Sequence, residues 1–347
     1  MWGSSLPIDV TSAFRPQPPA AGDLVAWPDS FGTRFVVFVD TEEEFDWSKP
    51  LARENRSVST VAALPAAQAQ FAAAGVPLAL MVDHPIATDP RAIDLIGPLL
   101  TGGTAVGTQL HPWVNPPFDE ALTPGNSFVG NLPRALEEAK LVALTEAITT
   151  AFGTRPMAYR AGRYGLGPAS FDLLAAHGYR LDSSMRPGFD YASEGGPDFS
   201  ALGNHAFRIG GIVELPLTTV FTGAARSGGI ALYRSAGRIP KGRAVLARSG
   251  LLQRIPLTPE GIPVREALEA VRVAIGEGVR VLSFAFHSPS LAPGHTPYVK
   301  DKADLAAFWH WWDRILAELD RLGAKAVGLD DAIAAALVGP AGLEPAT

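Results

Sequence analysis

Five apolar runs in this 347-residue chain end in a polar residue of a kind that does chemistry. RFVVFV (34–39) is followed by Asp40, Glu42, Glu43 and Glu44, and TAVGTQL (104–110) by His111. PMAY (156–159) is followed by Arg160, YRL (179–181) by Asp182, and VRVLSFAF (279–286) by His287. One such residue would carry little weight, because strand ends often hold a capping Asp for the next helix. Five of them, offering carboxylates, imidazoles and a guanidinium, are the material of acid–base or metal-assisted chemistry. With 0 cysteines, a thiol nucleophile, a thiolate metal site and a disulfide framework are all excluded. Any metal must then be held by His, carboxylate or amide groups.

Such residues need a frame that brings strand ends together. The chain alternates short β-branched or aromatic runs with longer Ala/Leu-rich runs of helical period, the pattern of βα units around a parallel sheet. Further strands are expected at PLALMV (77–82), IVELPL (212–217) and AKAVGL (324–329). One helix enters near Thr60 and stops at Gly75. Another follows Asn131 and Pro133 and runs to about Phe152. A late helix places Leu305, Phe308, Trp309, Trp312, Leu316 and Leu319 on one apolar stripe. Seven or eight such strands, with no G-x-G-x-x-G turn after the first, predict an α/β fold of the (β/α) barrel type, with chemistry at the strand C-termini. The expected organisation is a surface arm over 1–30, a single barrel domain over 31–337 and a tail over 338–347. The stretches 186–204 and 222–256 are read as long loops or insertions. No internal repeat is visible.

Apolar residues make up 47% and charged residues 18%, enough to bury a large core, and the net charge is −6. No basic run stands out, which argues against a nucleic-acid partner. The N-terminus has no basic and then apolar segment, and no stretch of about 18 apolar residues occurs. The expectation is a cytoplasmic protein without a membrane span.

Taken in order, the segments resemble the five motifs of the polysaccharide deacetylase superfamily, the group of the nodulation chitooligosaccharide deacetylases. VDTEEEFDW resembles the first motif, LHPWVNPP the second, YRAGRYG the third, LDSSM the fourth and SFAFHSPSL the fifth. The resemblance covers roughly Thr33 to Ala335, and the HPW and RAGRYG wording is closest to the WalW-like branch. It implies the irregular seven-stranded deacetylase barrel. It also implies a metal-assisted hydrolase that removes an acetyl or other acyl group from a sugar or polysaccharide, acting on C–N bonds other than peptide bonds.

By the same resemblance, Asp40 is the general base, Glu42 and His111 are ligands of a divalent metal such as zinc, and Gln109 stands at a third ligand position. Arg160 keeps Asp40 in its charged form, and His287 protonates the leaving amine or alcohol. Trp113 and Tyr164 follow motif residues and are placed to stack on a sugar ring. Two motifs depart from the related pattern. Gln109 stands where a second histidine is usual, and Met185 and Arg186 stand where an Asp supporting the acidic histidine and then a Trp are usual. Two alternatives therefore stay open: a catalytically weakened member that binds a glycan or a biosynthetic partner without hydrolysing it, and a hydrolase of a small cyclic amide. Glu43 and Glu44 are expected in a solvated loop. His84, before Pro85 at a strand end, is a candidate replacement ligand; His177 reads as a helix end, His310 as exposed, and His205 and His295 as loop residues.

Overall fold

The structure, a computed structural model, describes residues 13–338. The first twelve residues of the expected arm, and the expected tail beyond Val338, lie outside the described residues. The strands are β1 (Arg34–Thr41), β2 (Leu78–Val82), β3 (Ala105–Leu110), β4 (Ala158–Ala161), β5 (Leu181–Asp182), β6 (Phe207–Ile209), β7 (Ile212–Glu214), β8 (Thr219–Thr222), β9 (Gln253–Pro256), β10 (Val281–His287) and β11 (Lys325–Ala326). The helices are α1 (Leu64–Ala73), α2 (His84–Thr88), α3 (Pro90–Ile96), α4 (Arg134–Phe152), α5 (Ser170–Ala176), α6 (Gly229–Gly237), α7 (Gly242–Arg248), α8 (Val264–Gly276), α9 (Lys302–Arg321) and α10 (Leu329–Leu337).

Seven strands pair in parallel in the order β10-β1-β2-β3-β4-β5-β7, with β6 antiparallel on the far edge and β11 beside the start of β1. Strand alternation sorts their side chains into two cores. Phe35, Val37 and Val39 of β1, with Leu282, Phe284 and Phe286 of β10, face outward into a cluster that includes α1, α8 and α9. There Phe71, Phe284 and Phe286 meet Trp312 at ring-centroid distances of 4.9, 5.7 and 5.8 Å. Burying an aromatic ring of this size contributes about 1.5–3 kcal/mol. Val36, Phe38, Ala79, Met81, Ala158, Leu181, Val213 and Val281 face inward, and α10 plugs that end of the barrel with Leu329, Ala332, Ile333 and Ala336. Val25 of the N-terminal arm joins this plug, its N–H bonded to Ala206 O at 2.9 Å.

The barrel does not close by a regular ladder. Leu215 and Leu217 continue the sheet by donating to Asp182 O and Met185 O, and the gap to β10 is crossed by Leu257 N to Thr218 O and Ala285 N to Leu257 O. Strands β8 and β9 leave this seam as a separate two-stranded sheet.

Several expected elements shift. The strand expected at 156–159 forms over Ala158–Ala161, and those expected at 212–217 and 324–329 shorten to Ile212–Glu214 and Lys325–Ala326. The stretch 222–256 is a helical hairpin, α6 and α7, carried by β8 and β9. Its helices are short, begin at glycines and bury little, so they carry no clear period. The stretch 186–204 remains a loop with one short turn at Ala192–Glu194. On α9 the buried stripe is rotated: Trp311 and Ile315 are buried with Phe308, Trp312 and Leu319, while Trp309 is only partly covered.

Candidate active site

The inward alternation that builds the lower core continues upward into chemistry. Along β1, Asp40 follows Val36 and Phe38, with Glu42 just past the strand end; Gln109 lies on β3 with His111 just past its end; on β4, Arg160 follows Ala158; on β10, His287 follows Val281, Ser283 and Ala285. Register places Asp40 opposite His287 and Gln109 opposite Arg160. All of these except Val36, Phe38, Ala158 and Val281 line one cavity of about 650 Å³ at the strand C-termini.

Arg160 is clamped from several sides. Its Nη1 donates to Asp40 Oδ1, its Nε to Ser183 O at 3.0 Å and its Nη2 to Ser183 Oγ at 3.2 Å. The guanidinium carbon lies 4.5 Å from the centre of the Phe38 ring. Asp40 is thereby fixed by one oxygen, leaving Oδ2 to face the Nε2 of His287 at 3.8 Å.

The acidic run after β1 sends successive carboxylates to opposite sides. Glu42 turns into the cavity: Gln109 Nε2 donates to its Oε2 at 3.3 Å, His111 Nε2 lies 3.6 Å from that oxygen, and Oε1 has no partner. Burial pushes the Glu42 carboxyl up to about 8, against the pull of His287 and His111. Glu43, expected in a solvated loop, is instead fully buried behind His111. Its backbone N–H donates to Asp83 Oδ2 at 2.7 Å, its Oε2 contacts His111 Nδ1 at 2.7 Å, and Trp113 Nε1 donates to its Oε1 at 2.6 Å. The reason is alternation: a carboxylate next to Glu42 must point outward, and there it finds donors. Burial lowers the His111 pKa. A neutral ring that gives its Nδ1–H to Glu43 presents an Nε2 lone pair to the cavity. Glu44 is tied to the Ser57 and Ser59 hydroxyls and the Thr60 N–H, with His295 3.4 Å away.

His287 has a partner that sequence reasoning missed. Glu260, in the segment after β9, accepts from the His287 backbone N–H at 3.1 Å, meets its Nδ1 at 2.7 Å and accepts from Ser290 Oγ at 2.5 Å. Burial alone would lower the His287 pKa, but Glu260 first, then Glu42 and Asp40, raise it well above the usual value. Glu260 follows no apolar strand end, and only its separation from β10 by one helix hinted at it. Asp182 does not reach this site: it binds Ser184 Oγ at 2.6 Å and sits beside Glu214, outside the cavity.

The RAGRYG turn is shaped by close approach. A Cβ on Gly162 would sit 2.2 Å from His111 Cδ2, so only glycine lets the two strand ends meet. Arg163 and Tyr164 follow with φ of 54° and 61°, a left-handed pair that is strained for non-glycine residues. Tyr164 lines the cavity and stacks on Tyr191 at 5.5 Å. Trp113 also lines the cavity; it is 1% exposed and stacks on His111 at 4.3 Å. His84 begins α2, lies outside the cavity, and has an unpartnered Nδ1.

Two sets of side chains offer metal-ligand atoms. Glu43, Asp83 and His111 present atoms within 4.8 Å of one another. The Glu43 oxygens are held by His111 and Trp113, and those of Asp83 by the Glu43 and Ile86 N–H groups, so this set is a hydrogen-bonded support. Glu42, Gln109 and the His111 Nε2 face the cavity, and both Glu42 Oε1 and Gln109 Oε1 are buried without a partner. Two such oxygens beside a free imidazole nitrogen are a donor set that fits a divalent cation.

No protein-family model matches the sequence, and no curated protein matches it. Among solved structures, the chain is similar to a Mycobacterium smegmatis protein assigned as a polysaccharide deacetylase, at 17% identity over 95% of this chain and 99% of that one, TM-score 0.51. A protein from Pseudomonas aeruginosa PAO1 assigned in the same way aligns at 14% identity over 92% and 94% of the two chains, TM-score 0.47. The Puue allantoinase aligns at 14% identity over 96% and 97%, TM-score 0.45. On the first of these, with the seven parallel strands and irregular seam described above, the chain has the polysaccharide deacetylase (β/α) barrel fold.

Proposed function

We propose that this protein is a metal-assisted hydrolase that removes an acyl group from an acylated sugar or polysaccharide. The observation that carries the reading is the convergence of three units on one barrel mouth: Asp40 with Arg160, His287 with Glu260, and the trio Glu42, Gln109 and His111 with its unpartnered oxygens. Asp40 takes the proton of the attacking water on Oδ2, since Arg160 holds Oδ1. His287, kept protonated by Glu260, carries an N–H at Nε2 on the other side of that 3.8 Å gap and delivers it to the departing amine or alcohol. A divalent cation such as zinc, held by Glu42, His111 and Gln109, supplies carbonyl polarisation and water binding when present. Glu43 and Trp113 fix the His111 ring so that Nε2 keeps its direction. Phe45, Trp47, Tyr164 and Tyr298 line the same cavity with ring faces suited to a pyranose.

A second reading, glycan binding without hydrolysis, is favoured by the Gln109 Nε2 contact to Glu42, which occupies one carboxylate oxygen with an amide. Acetate release from N- and O-acetylated oligosaccharides by the zinc-loaded protein, measured beside its metal content, separates the two. Hydrolysis that vanishes on chelation supports the first reading. A protein that takes up no metal and releases no acetate sinks it.

A further inference from the structure

From Leu215 to Pro259 the chain contains no Asp or Glu but seven Lys or Arg residues, in a protein of net charge −6. Spaced along the sequence they form no run. Folding carries most of them out on the β8–β9 ribbon into the α6–α7 hairpin, whose turn reads RIPKGRAV (238–245). In this turn Arg238, Lys241 and Arg243 are exposed, and no carboxylate pairs with any of them among the described residues. Arg243 is steadied by the Tyr233 ring, 4.5 Å below its guanidinium, and Lys241 holds a left-handed φ of 59° that fixes the turn. Between these cations stand Ile239, 63% exposed, and Val245, 61% exposed.

Neither feature serves the core: the aliphatic side chains stay mostly exposed, and no carboxylate pairs with the three cations among the described residues. The combination has a physical match. An anionic lipid surface offers headgroup charge at one depth and an acyl boundary just below it, so that Lys and Arg stay at the headgroups while short apolar side chains enter beneath. A polyanion in water would engage the cations and leave Ile239 and Val245 exposed. We propose that the tip of the α6–α7 hairpin docks on an anionic lipid bilayer, with Arg238, Lys241 and Arg243 at the headgroups and Ile239 and Val245 at the acyl boundary. This is attachment to a surface, in keeping with the absence of any helix among the described residues long and apolar enough to span a membrane. It does not depend on what the cavity hydrolyses.

The test is co-sedimentation of the full chain with vesicles of phosphatidylcholine, with and without phosphatidylglycerol, beside retention on heparin. Binding is expected only to the vesicles containing phosphatidylglycerol. It should fall by roughly tenfold or more in Arg238→Glu/Lys241→Glu, whose two exposed sites leave the core untouched. It should also fall several-fold in Ile239→Ser/Val245→Ser, a loss that heparin retention should not share. Circular dichroism of each variant checks that the fold is kept. Equal binding to both vesicle types, no binding to either, or vesicle binding that ignores the Ile239→Ser/Val245→Ser change would each overturn the proposal, the last in favour of a simple polyanion contact.

Discussion

Glu260→Gln isolates what the protein does to its acidic histidine. The amide keeps the side-chain shape and an oxygen that can accept from Ser290 or the His287 N–H, but it removes the negative charge 2.7 Å from His287 Nδ1. A hydrogen bond to a charged group contributes about 1.5–3 kcal/mol, so losing it should weaken proton binding by His287 roughly ten- to a hundredfold. Burial, the largest influence on this ring, then acts with less opposition. The sign follows from linkage: in the wild type the folded state holds the His287 proton more tightly than the unfolded chain does. The stability this adds is complete below the unfolded pKa and is lost as pH rises through the raised folded one. The variant should lose much of that increment. Histidine ring resonances followed by NMR titration of metal-free protein read the proton directly, without recourse to activity. If His287 titrates at the same pH in both proteins, Glu260 is not what holds its proton, and the assignment of the acid unit is wrong.

Asp40→Asn should leave the fold in place and lower any hydrolytic rate by on the order of 10² or more, because an amide cannot accept the water's proton; steady-state turnover of the purified, folded variant checks it. Gln109→His should tighten zinc binding by about tenfold or more, since an imidazole would replace a neutral amide whose oxygen is buried and unpartnered; calorimetric titration showing equal affinities, or no binding by either protein, would remove the metal from this cavity. Glu137→Gln should stabilise the protein at pH 8 by up to about 3 kcal/mol, a gain that shrinks as pH falls through the window between about 7, where burial sets the folded carboxyl, and the ordinary value of 4.5; urea denaturation at several pH values reads this directly.

The barrel was legible because its strands obey a simple rule: an apolar run buried on both faces, followed by a polar residue that continues the inward alternation. That rule picked out Asp40, His111, Arg160 and His287, which the fold brings to one cavity, without knowledge of any pairing. It failed where support comes from the other face or from irregular backbone. Glu43 looked like one more acid in a hydrophilic run, since nothing local told that His111 and Trp113 would meet it from 68 and 70 residues away. Glu260 is brought to His287 by the seam at Thr218 and Leu257, which has no strand period to read. Asp182 misled for the converse reason: it ends a strand like the others, but Ser184 and Glu214 absorb it locally.

The segment from Asp40 to Glu44 has an evolutionary consequence. Five consecutive residues are committed in turn to Arg160, to Val39 O through the Thr41 hydroxyl, to the cavity, to the His111 support and to the turn at Ser57–Thr60. Segments that leave strand ends usually tolerate insertions and deletions. Because Glu42, Glu43 and Glu44 are consecutive, a one-residue deletion among them would still leave a carboxylate at the inward and the outward place and cost only the tie to Ser57–Thr60, whereas an insertion between Thr41 and Glu42 would move the inward carboxylate away from Gln109. Descendants of this chain can therefore lose one residue of the run more easily than gain one, and a homologue with an insertion between Thr41 and Glu42 should have lost the inward carboxylate even if each residue type survives.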